Sequence, residues 1–307
     1  MAKNYGSAEF QVERALQAVF TPGESRHAGK QDGTAASHIY SIGAMKTYMG
    51  CDIVLAKWVR QGFNEKFIGG ITPTMVEQFV RSLHDRDLSH ATINKYVAAI
   101  AKLDAGLRAV GWRPKDAPEL VPVELYSRHA DARPAPYSAD EARQIIEHLR
   151  RTCPDRRLSL AAESAWRGGL RISEVAGLRL GEISETGWAL NLDGHSTKGG
   201  RARDVPLNDE ARRFFQELRG MGDRRGADHV FRDRKGLPRE LQRWISRACR
   251  ELGIDHSRVH DFRAAYANQL YERLIAAGAS DRQARREAAS ALGHGRVDVL
   301  RHYLMMK

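Results

Sequence analysis

The C-terminal stretch of the chain, residues 257–307, combines basic and phenolic side chains at regular spacings. His260 and Arg263 lie three residues apart in VHDFR, so on a helix they share one face. His294 lies between two glycines, at a predicted corner between helices. Tyr303 follows nine residues later, in a segment with apolar residues at helical spacing. Each feature alone is weak, but their order, read with two basic residues upstream, indicates a site.

Those two upstream residues are Arg171, in GGLRISEV, and Lys198, in STKGGRAR. Cleavage of a phosphodiester without a metal needs a nucleophile, positive charge on the phosphoryl oxygens and a proton donor for the leaving oxygen. A tyrosine has a pKa near 10 and is only about 0.1% ionised at neutral pH, so neighbouring cations or a base must activate it. Arginines bind a phosphate through paired N–H groups, while a lysine on a mobile hairpin or a histidine can donate a proton.

The composition favours a polyanionic partner. The chain of 307 residues has a formal net charge of +11 and a pI of about 9.8. Residues 1–136 hold 17 Lys and Arg against 14 Asp and Glu, and the remainder holds 32 against 24, so most of the excess lies in the second part. Nucleic acid is the first candidate and an anionic membrane surface the second.

The sequence argues against several protein classes. Its three cysteines are isolated, which disfavours a disulfide framework or a zinc site. No apolar run approaches the 18 residues of a membrane span, and the N-terminus lacks a signal-peptide pattern. We therefore expect a cytoplasmic protein that acts without contact with a membrane.

The elements that must position these residues fall into two predicted domains. Residues 1–112 are predicted to form a helical domain, with a loop over 21–37 and a long helix over 37–61 that has Ile42, Met45, Met49 and Ile53 on one face. Further helices are expected over TPTMVEQFVRSL and after the cap Ser89. The stretch 113–136 holds five prolines and is the predicted linker.

A second predicted domain covers residues 137–307. Ser138 and Glu141 form a capping-box pattern that begins its first helix. The segments GWALNL and RDVPL flank a turn, which predicts a β-hairpin with Lys198 in or beside the turn. The remaining patterns are helical, so the sequence predicts a mainly α fold, an N-terminal helical domain followed by an α-rich domain with a small antiparallel hairpin or sheet.

These residues resemble the Arg-Lys-His-Arg-His-Tyr signature of the tyrosine recombinase (phage-type integrase) family. The similarity extends to the residues around each position, in GGLRISEVAGLRL, STKGGRARDVPL, VHDFR and LGHGR. Glu174 resembles a position that orients the site in this family, although an acid in the first turn of a helix is equally expected for structural reasons. The resemblance implies that Arg171 and Arg263 clamp the scissile phosphate, that Lys198 is the general acid, that His260 assists proton transfer, that His294 hydrogen-bonds a phosphate oxygen, and that Tyr303 forms a 3′-phosphotyrosyl link.

The resemblance also implies an activity and partners. It implies a site-specific recombinase or integrase of a mobile genetic element, which cuts and rejoins DNA without metal, ATP or another cofactor. Residues 1–112 would be the core-binding domain and 137–307 the catalytic domain. The implied partners are double-stranded DNA with its recombination sites, three further copies in a homo-tetramer on two sites, and accessory DNA-bending proteins. The free protein would be a monomer in the bacterial cytoplasm, associated with the nucleoid.

One segment departs from the family pattern, and two other functions stay open. The stretch 276–290 makes the spacing between Arg263 and His294 longer than is usual, and we interpret it as an insertion on the surface or a partner contact. A type IB topoisomerase would use similar chemistry on a single site. A non-catalytic DNA-binding regulator could retain the fold, although it would not need Tyr303. A zinc site of His256, His260, His294 and His302 is disfavoured because their spacing is unlike that of zinc ligands.

Overall fold

The chain divides into two compact units, Met1–Arg133 and Pro134–Lys307. The computed structural model describes residues 5–121, 135–194, 197, 202–223, 228–231, 235–256 and 258–293, with the side chains of Arg26, His27 and Asp223 left aside. Lys198, His294 and Tyr303, together with the predicted helical segment around Tyr303, lie outside these described residues.

The described part of the first unit contains five α-helices, each of which begins at a serine or threonine. The side-chain oxygens of Ser7, Ser25, Ser41, Thr72 and Ser89 each accept a hydrogen bond from the backbone N–H three residues later, which satisfies a donor that the helix leaves unpaired. The helices are α1 (Ala8–Gln17), α2 (Arg26–Gln31), α3 (Ile42–Phe63), α4 (Pro73–Asp85) and α5 (His90–Ala109), with short 3₁₀ turns at Thr34–Ala36 and Ile68–Gly70.

The core of the first unit lies between α1, α3 and α5, with α4 packed against α3 and α5. Leu16, Leu55 and Ile100 are completely buried there, and Phe79 contributes from α4. Burying side chains of this size stabilises the unit by about 1.5–3 kcal/mol each.

Three details of the first unit differ from the sequence prediction. The long helix begins at Ile42, because Ser41 caps it, and Ile42 itself is 64% exposed although its apolar neighbours Met45, Met49 and Ile53 pack on the core. The segment predicted as a loop over 21–37 contains α2 and a 3₁₀ turn.

The third difference concerns residues 113–121, which pack on the first unit although the linker is predicted to start at Arg113. The buried guanidinium of Arg113 lies 2.9 Å from an Asp104 oxygen and donates to the Ile71 carbonyl oxygen at 3.0 Å. Leu120 is completely buried, and its backbone N–H donates to Asp104. A proline-rich composition disfavours helix, but it does not prevent an irregular segment from packing when a buried carboxylate supplies its hydrogen bonds.

The second unit is mainly helical. Its α-helices are α6 (Ala139–Thr152), α7 (Arg156–Arg167), α8 (Ile172–Gly177), α9 (Asp209–Asp223), α10 (Leu237–Leu252), α11 (Val259–Ala276) and α12 (Asp281–Ala291), and a 3₁₀ turn spans Leu180–Glu182. The predicted capping box is present, since Ser138 and Glu141 each accept a hydrogen bond from the backbone N–H of the other. The mainly α architecture is confirmed.

Helix α7 is the central element of the second unit and contacts α6, α8, α10 and α11. Its buried residues include Ala161, Ala162, Ser164 and Ala165, whose small side chains let the surrounding helices approach closely. Because α8 follows α7 almost directly and α11 packs on α7, the helix fixes two of the elements that carry predicted site residues.

The predicted hairpin is present as an antiparallel pair, β1 (Ala189–Leu192) and β2 (Arg203–Pro206), with Leu192 opposite Arg203. Leu190, Leu192 and Val205 are buried, so one face of the hairpin packs on the core. Lys198 lies between the two strands in the sequence, outside the described residues. No helix in the described part of the chain is long and apolar enough to cross a membrane.

Candidate active site

Glu174 lies at the centre of the site, in the first turn of α8, and its side chain is completely buried. The backbone N–H of Arg171 donates to its Oε2 at 2.7 Å, and Nη1 of Arg171 donates to its Oε1 at 2.7 Å. The carboxylate therefore caps the helix and orients the arginine that begins it. The sequence allowed Glu174 to be either a structural acid in the first turn of a helix or a residue that orients the site, and these contacts serve both purposes.

Two more guanidinium groups complete the surroundings of this carboxylate. Arg203, at the start of β2, donates from Nη1 to Oε1 at 2.8 Å and from Nη2 to Oε2 at 2.7 Å. Nη1 of Arg263, on α11, lies 3.6 Å from Oε2. Three cations around one anion leave an excess of positive charge, which is the condition for binding a phosphate.

The ionisation of Glu174 follows from these contacts. Burial by itself would raise the pKa of Glu174, but the hydrogen bonds and charge of Arg203, the Arg171 N–H and the charge of Arg263 overcome it and lower the pKa to about 2. The carboxylate thus stays ionised across the whole physiological range of pH, and the three arginines keep their orienting partner.

Arg263 is the innermost of the three arginines, with a completely buried side chain. Its Nη1 donates to the carbonyl oxygen of Gly169 and its Nη2 to that of Leu292. Gly169 has a φ of +56°, and a Cβ there would lie 2.4 Å from the ring of Tyr266, so only glycine brings this carbonyl to the arginine. Arg171 differs in that 18% of its side chain is exposed.

The C-terminal end of α12 is bound by the same three arginines. Nε of Arg203 donates to the Ala291 carbonyl oxygen at 3.0 Å, and Nη2 of Arg171 and of Arg263 both donate to that of Leu292. These carbonyls have no partner within the helix, and cations stabilise the negative end of its dipole. The chain that leads towards His294 therefore leaves α12 directly beside the arginine cluster.

His260 lies one turn before Arg263 on α11, as the spacing predicts. Burial lowers the pKa of His260 from its ordinary value, and the charges of Arg263, Arg171 and Arg258 lower it further, while Asp261 acts in the opposite direction. The imidazole is therefore neutral at pH 7, which suits a group that accepts a proton or orients one.

A second buried contact network holds the N-terminal end of α11. Asp261 accepts a hydrogen bond from Nε of Arg258 at 3.0 Å and lies 3.3 Å from Nδ1 of His256. Tyr137 stacks on the His256 ring with centroids 4.8 Å apart, and its hydroxyl lies 3.6 Å from Sγ of Cys249. His256 thus has a packing role, and within the described residues no group of three or more His, Cys, Asp or Glu side chains is placed to hold a metal ion.

The structure brings Arg171 and Arg263 together through Glu174 and Leu292, and it places His260 on the same helix as Arg263. Sequence reasoning missed Arg203. The alternation of side chains along a strand could have identified it. Arg203 lies two residues before the buried Val205, so both side chains point to the same, inward face of the hairpin. An inward-facing arginine requires a buried acid as partner, and Glu174 is that acid.

The chain is similar to known proteins over most of its length. Residues 137–306 match the model of the Phage integrase family. Arg171, Arg203, His260 and Arg263 lie within this range of the chain. Tyrosine recombinase XerD of Caulobacter vibrioides is 27% identical over 216 residues, which cover 64% of this chain and 67% of that protein. Tyrosine recombinase XerC of Pelobacter propionicus is 30% identical over 146 residues, which cover 46% of this chain and 45% of that protein.

Solved structures show the same fold over nearly the whole chain. The XerH site-specific recombinase bound to a palindromic difH substrate superposes with a TM-score of 0.69 at 17% identity, covering 96% of this chain and 91% of that one. A lambda integrase (75–356) dimer bound to a COC′ core site superposes with a TM-score of 0.65 at 18% identity, covering 90% of this chain and 93% of that one. At these identities the likeness concerns the fold.

Proposed function

The chain belongs to the phage integrase family, and from that premise we propose that the arginine cluster around Glu174 binds the scissile phosphate of a DNA strand. The protein is a tyrosine-type site-specific recombinase. The assignment of residues rests on one buried carboxylate, which is shared by Arg171 at the start of α8 and Arg263 on α11. This carboxylate holds two cations of like charge close together before any phosphate arrives.

In the proposed reaction the Tyr303 oxygen attacks the phosphorus and the bond from phosphorus to the 5′-oxygen breaks. Lys198 supplies a proton to the departing 5′-oxygen, and a 3′-phosphotyrosyl bond replaces the original ester. Attack by a 5′-hydroxyl of another strand reverses these steps and releases the tyrosine. Because the number and kind of ester bonds are unchanged, the exchange requires no ATP, and neither metal nor cofactor has a role in the steps proposed.

The remaining groups tune this exchange. Arg171 and Arg263 neutralise charge on the non-bridging oxygens, and His294 would donate a hydrogen bond to one of them. The neutral imidazole of His260 accepts the phenolic proton or passes it on. We further propose that the first unit is the core-binding domain and that the second unit, which holds the family match over residues 137–306, is the catalytic domain.

The same proposal extends to the assembly. One chain supplies one nucleophile, and the exchange of two duplexes needs four cuts. Four copies would therefore act together on two DNA sites, and this tetramer would assemble from monomers in solution. Related structures contain a recombinase on its DNA substrate and an integrase dimer on a core site, which supports DNA as the partner. Because its substrate would be DNA, the protein would lie in the bacterial cytoplasm at the nucleoid. Imaging of the labelled protein in cells would test this location.

The test of the nucleophile uses a nicked DNA substrate from which the cleaved fragment diffuses away. We expect a covalent protein–DNA adduct that resists SDS, and we expect Tyr303→Phe to abolish it while leaving DNA binding near normal. Tyr271→Phe is the matched control, since this tyrosine bonds Asp281 and takes no part in the arginine cluster. An adduct that persists in Tyr303→Phe would show that another residue attacks the phosphate.

A further inference from the structure

Arg203 is the residue at which three separate parts of the second unit meet. Its guanidinium binds both oxygens of Glu174 on α8 and the Ala291 carbonyl oxygen at the end of α12, while its backbone begins β2 of the hairpin. Only 7% of its side chain is exposed. All three guanidinium nitrogens thus donate to protein acceptors, in the paired geometry that arginine alone can provide.

The hairpin depends on this contact for its position relative to the cluster. β2 begins at Arg203, five residues after Lys198, and it pairs with β1 through a short ladder of four residue pairs. A two-stranded hairpin is marginally stable by itself, so its direction is set by what it packs against. The bidentate pair with Glu174 fixes the turn end of the hairpin to the first turn of α8, directly after Arg171.

The segment after α12 depends on the same side chain. Gly293 adopts a φ of +63°, and a Cβ at that position would lie 2.9 Å from Cδ of Arg203. The backbone directly before His294 therefore lies against the aliphatic stem of Arg203, while the guanidinium holds the carbonyl two residues earlier. A shorter or differently shaped side chain at position 203 would release this backbone.

Removing Arg203 would also disturb the two phosphate-binding arginines. Burial acts to raise the pKa of Glu174, and Arg203 supplies the largest opposing contribution. Without it, the carboxylate must either take up a proton or draw Arg171 and Arg263 more tightly onto itself. Either change alters the orientation in which those two arginines meet a phosphate.

We propose that Arg203 is a positioning residue for strand cleavage, which fixes the start of β2, five residues after Lys198, the end of α12, three residues before His294, and the phosphate-binding arginines relative to one another. It acts through these groups and does not touch the reacting atoms. The proposal rests on the roles proposed above for Lys198 and the arginines. It extends them because one buried side chain, Arg203, would align the hairpin and the proton donor Lys198 with the two phosphate-binding arginines.

The experiment compares Arg203→Lys with wild type on two nicked substrates. One carries the natural 5′-bridging oxygen and the other a 5′-bridging sulfur, whose thiolate leaves without a proton. Arg203→Lys keeps the positive charge but loses the paired N–H donors of the guanidinium. A displacement of catalytic groups by about 1 Å lowers the rate by about 100-fold. We therefore expect the rate of single-turnover cleavage of the oxygen substrate to fall about 100-fold. DNA affinity should stay close to that of wild type.

The sulfur substrate supplies the readout that a merely structural role would not change. If Arg203 positions Lys198, cleavage of the sulfur substrate by Arg203→Lys should recover by about tenfold relative to the oxygen substrate, with the rest of the loss owed to the misplaced arginines. Arg179→Lys is the matched control, because Arg179 is 47% exposed and binds Asp193 just after β1, without contact to Glu174. It should cleave both substrates at the wild-type rate.

Two results would overturn the proposal. One is wild-type cleavage by Arg203→Lys, and the other is an equal loss on both substrates. If the single variant fails to fold, the pair Arg203→Met with Glu174→Gln removes both charges together, and the same comparison of substrates applies to it. Lys198→Ala tests the two proposals separately. If the sulfur substrate does not restore cleavage by Lys198→Ala, the proposed role of Lys198 is wrong. If it restores cleavage by Lys198→Ala but not by Arg203→Lys, only the proposed role of Arg203 is wrong.

Discussion

At the scale of single residues, His260 has an ionisation that its surroundings determine. It lies near Arg263 and Arg171, and both partial loss of solvation and these charges favour the neutral imidazole. A base of this kind works at neutral pH and is lost only when acid protonates it. The pH dependence of cleavage therefore tests the role proposed for His260.

We expect the kcat/KM for cleavage to be constant around neutral pH and to fall with decreasing pH through a pKa below the ordinary histidine value of 6.5. His260→Gln should be slower by about 10²-fold at neutral pH and should lack this acid limb. His148 on α6 pairs with Glu251, outside the arginine cluster, and the control variant His148→Gln should leave the profile unchanged. An acid limb that survives in His260→Gln would assign it to another group.

At the scale of elements, α3 contains a buried acid without a partner among the described residues. Asp52 is completely buried, and neither carboxyl oxygen forms a hydrogen bond. Burial raises the pKa of Asp52 well above its ordinary value, so the folded protein retains a proton that the unfolded chain releases. The free energy of unfolding of the first unit therefore decreases as pH rises from about 4 towards the folded pKa, by up to about 1.4 kcal/mol per pH unit.

Asp52→Asn should remove this dependence, because the amide does not titrate. Chemical denaturation of the full chain at pH 5 and pH 8, followed by the unfolding of the first unit, should show the variant gaining stability over wild type at the higher pH. Asp85→Asn, at an exposed position at the end of α4, should leave the difference between the two pH values as it is in wild type. A parallel loss of stability in wild type and Asp52→Asn would show that Asp52 does not hold the proton.

The elements also show which parts of the fold could be predicted from the sequence. Helices that begin at a serine or threonine cap and carry an apolar stripe were predicted closely, as for α4 and for α6 with its capping box. The hairpin followed from two alternating segments around a glycine-rich turn. Local signals of this kind are present in the sequence because they involve residues three or four apart.

Contacts between distant parts of the chain were not predictable in the same way. Residues 113–121 pack on the first unit because Asp104 bonds both Arg113 and the Leu120 amide, and no local pattern reveals that partnership. The pair of Arg203 with Glu174 spans 29 residues and depends on how β2 meets α8. Arg171 and Arg263 were identified from their resemblance to a family motif, whereas the carboxylate that joins them required the folded chain.

At the scale of the whole molecule, the outer face of α12 is a candidate contact between copies. The inner face is made of alanines, with Ala284, Ala288 and Ala289 buried. Arg282 and Arg286 are exposed one helical turn apart, while Arg285 is bonded to Asp281. The predicted insertion is thus seen as the end of α11 and most of α12, packed against α11 and β2.

We expect the double variant Arg282→Glu and Arg286→Glu to bind a single DNA site normally but to lose the pairing of two sites. Reversing two charges on a contact surface introduces repulsion between copies without disturbing the buried alanines. Arg239→Glu with Arg243→Glu is the matched control, since this pair is also exposed and four residues apart, on α10. Gel-shift and strand-exchange assays on two-site DNA give the result, and normal strand exchange by the α12 variant would exclude this face as the contact.

The shared carboxylate at position 174 has a consequence for how such a chain can change over generations. A lineage that loses Arg203 while keeping Glu174 retains a buried anion with fewer partners, and one that loses Glu174 alone retains three crowded cations. Neither intermediate is neutral for folding, so the acid and its strand-borne partner are inherited as a pair. Descendants that abandon cutting would therefore be free to lose the nucleophile long before they could lose the arginine at position 203, and an arginine there marks ancestry rather than present activity.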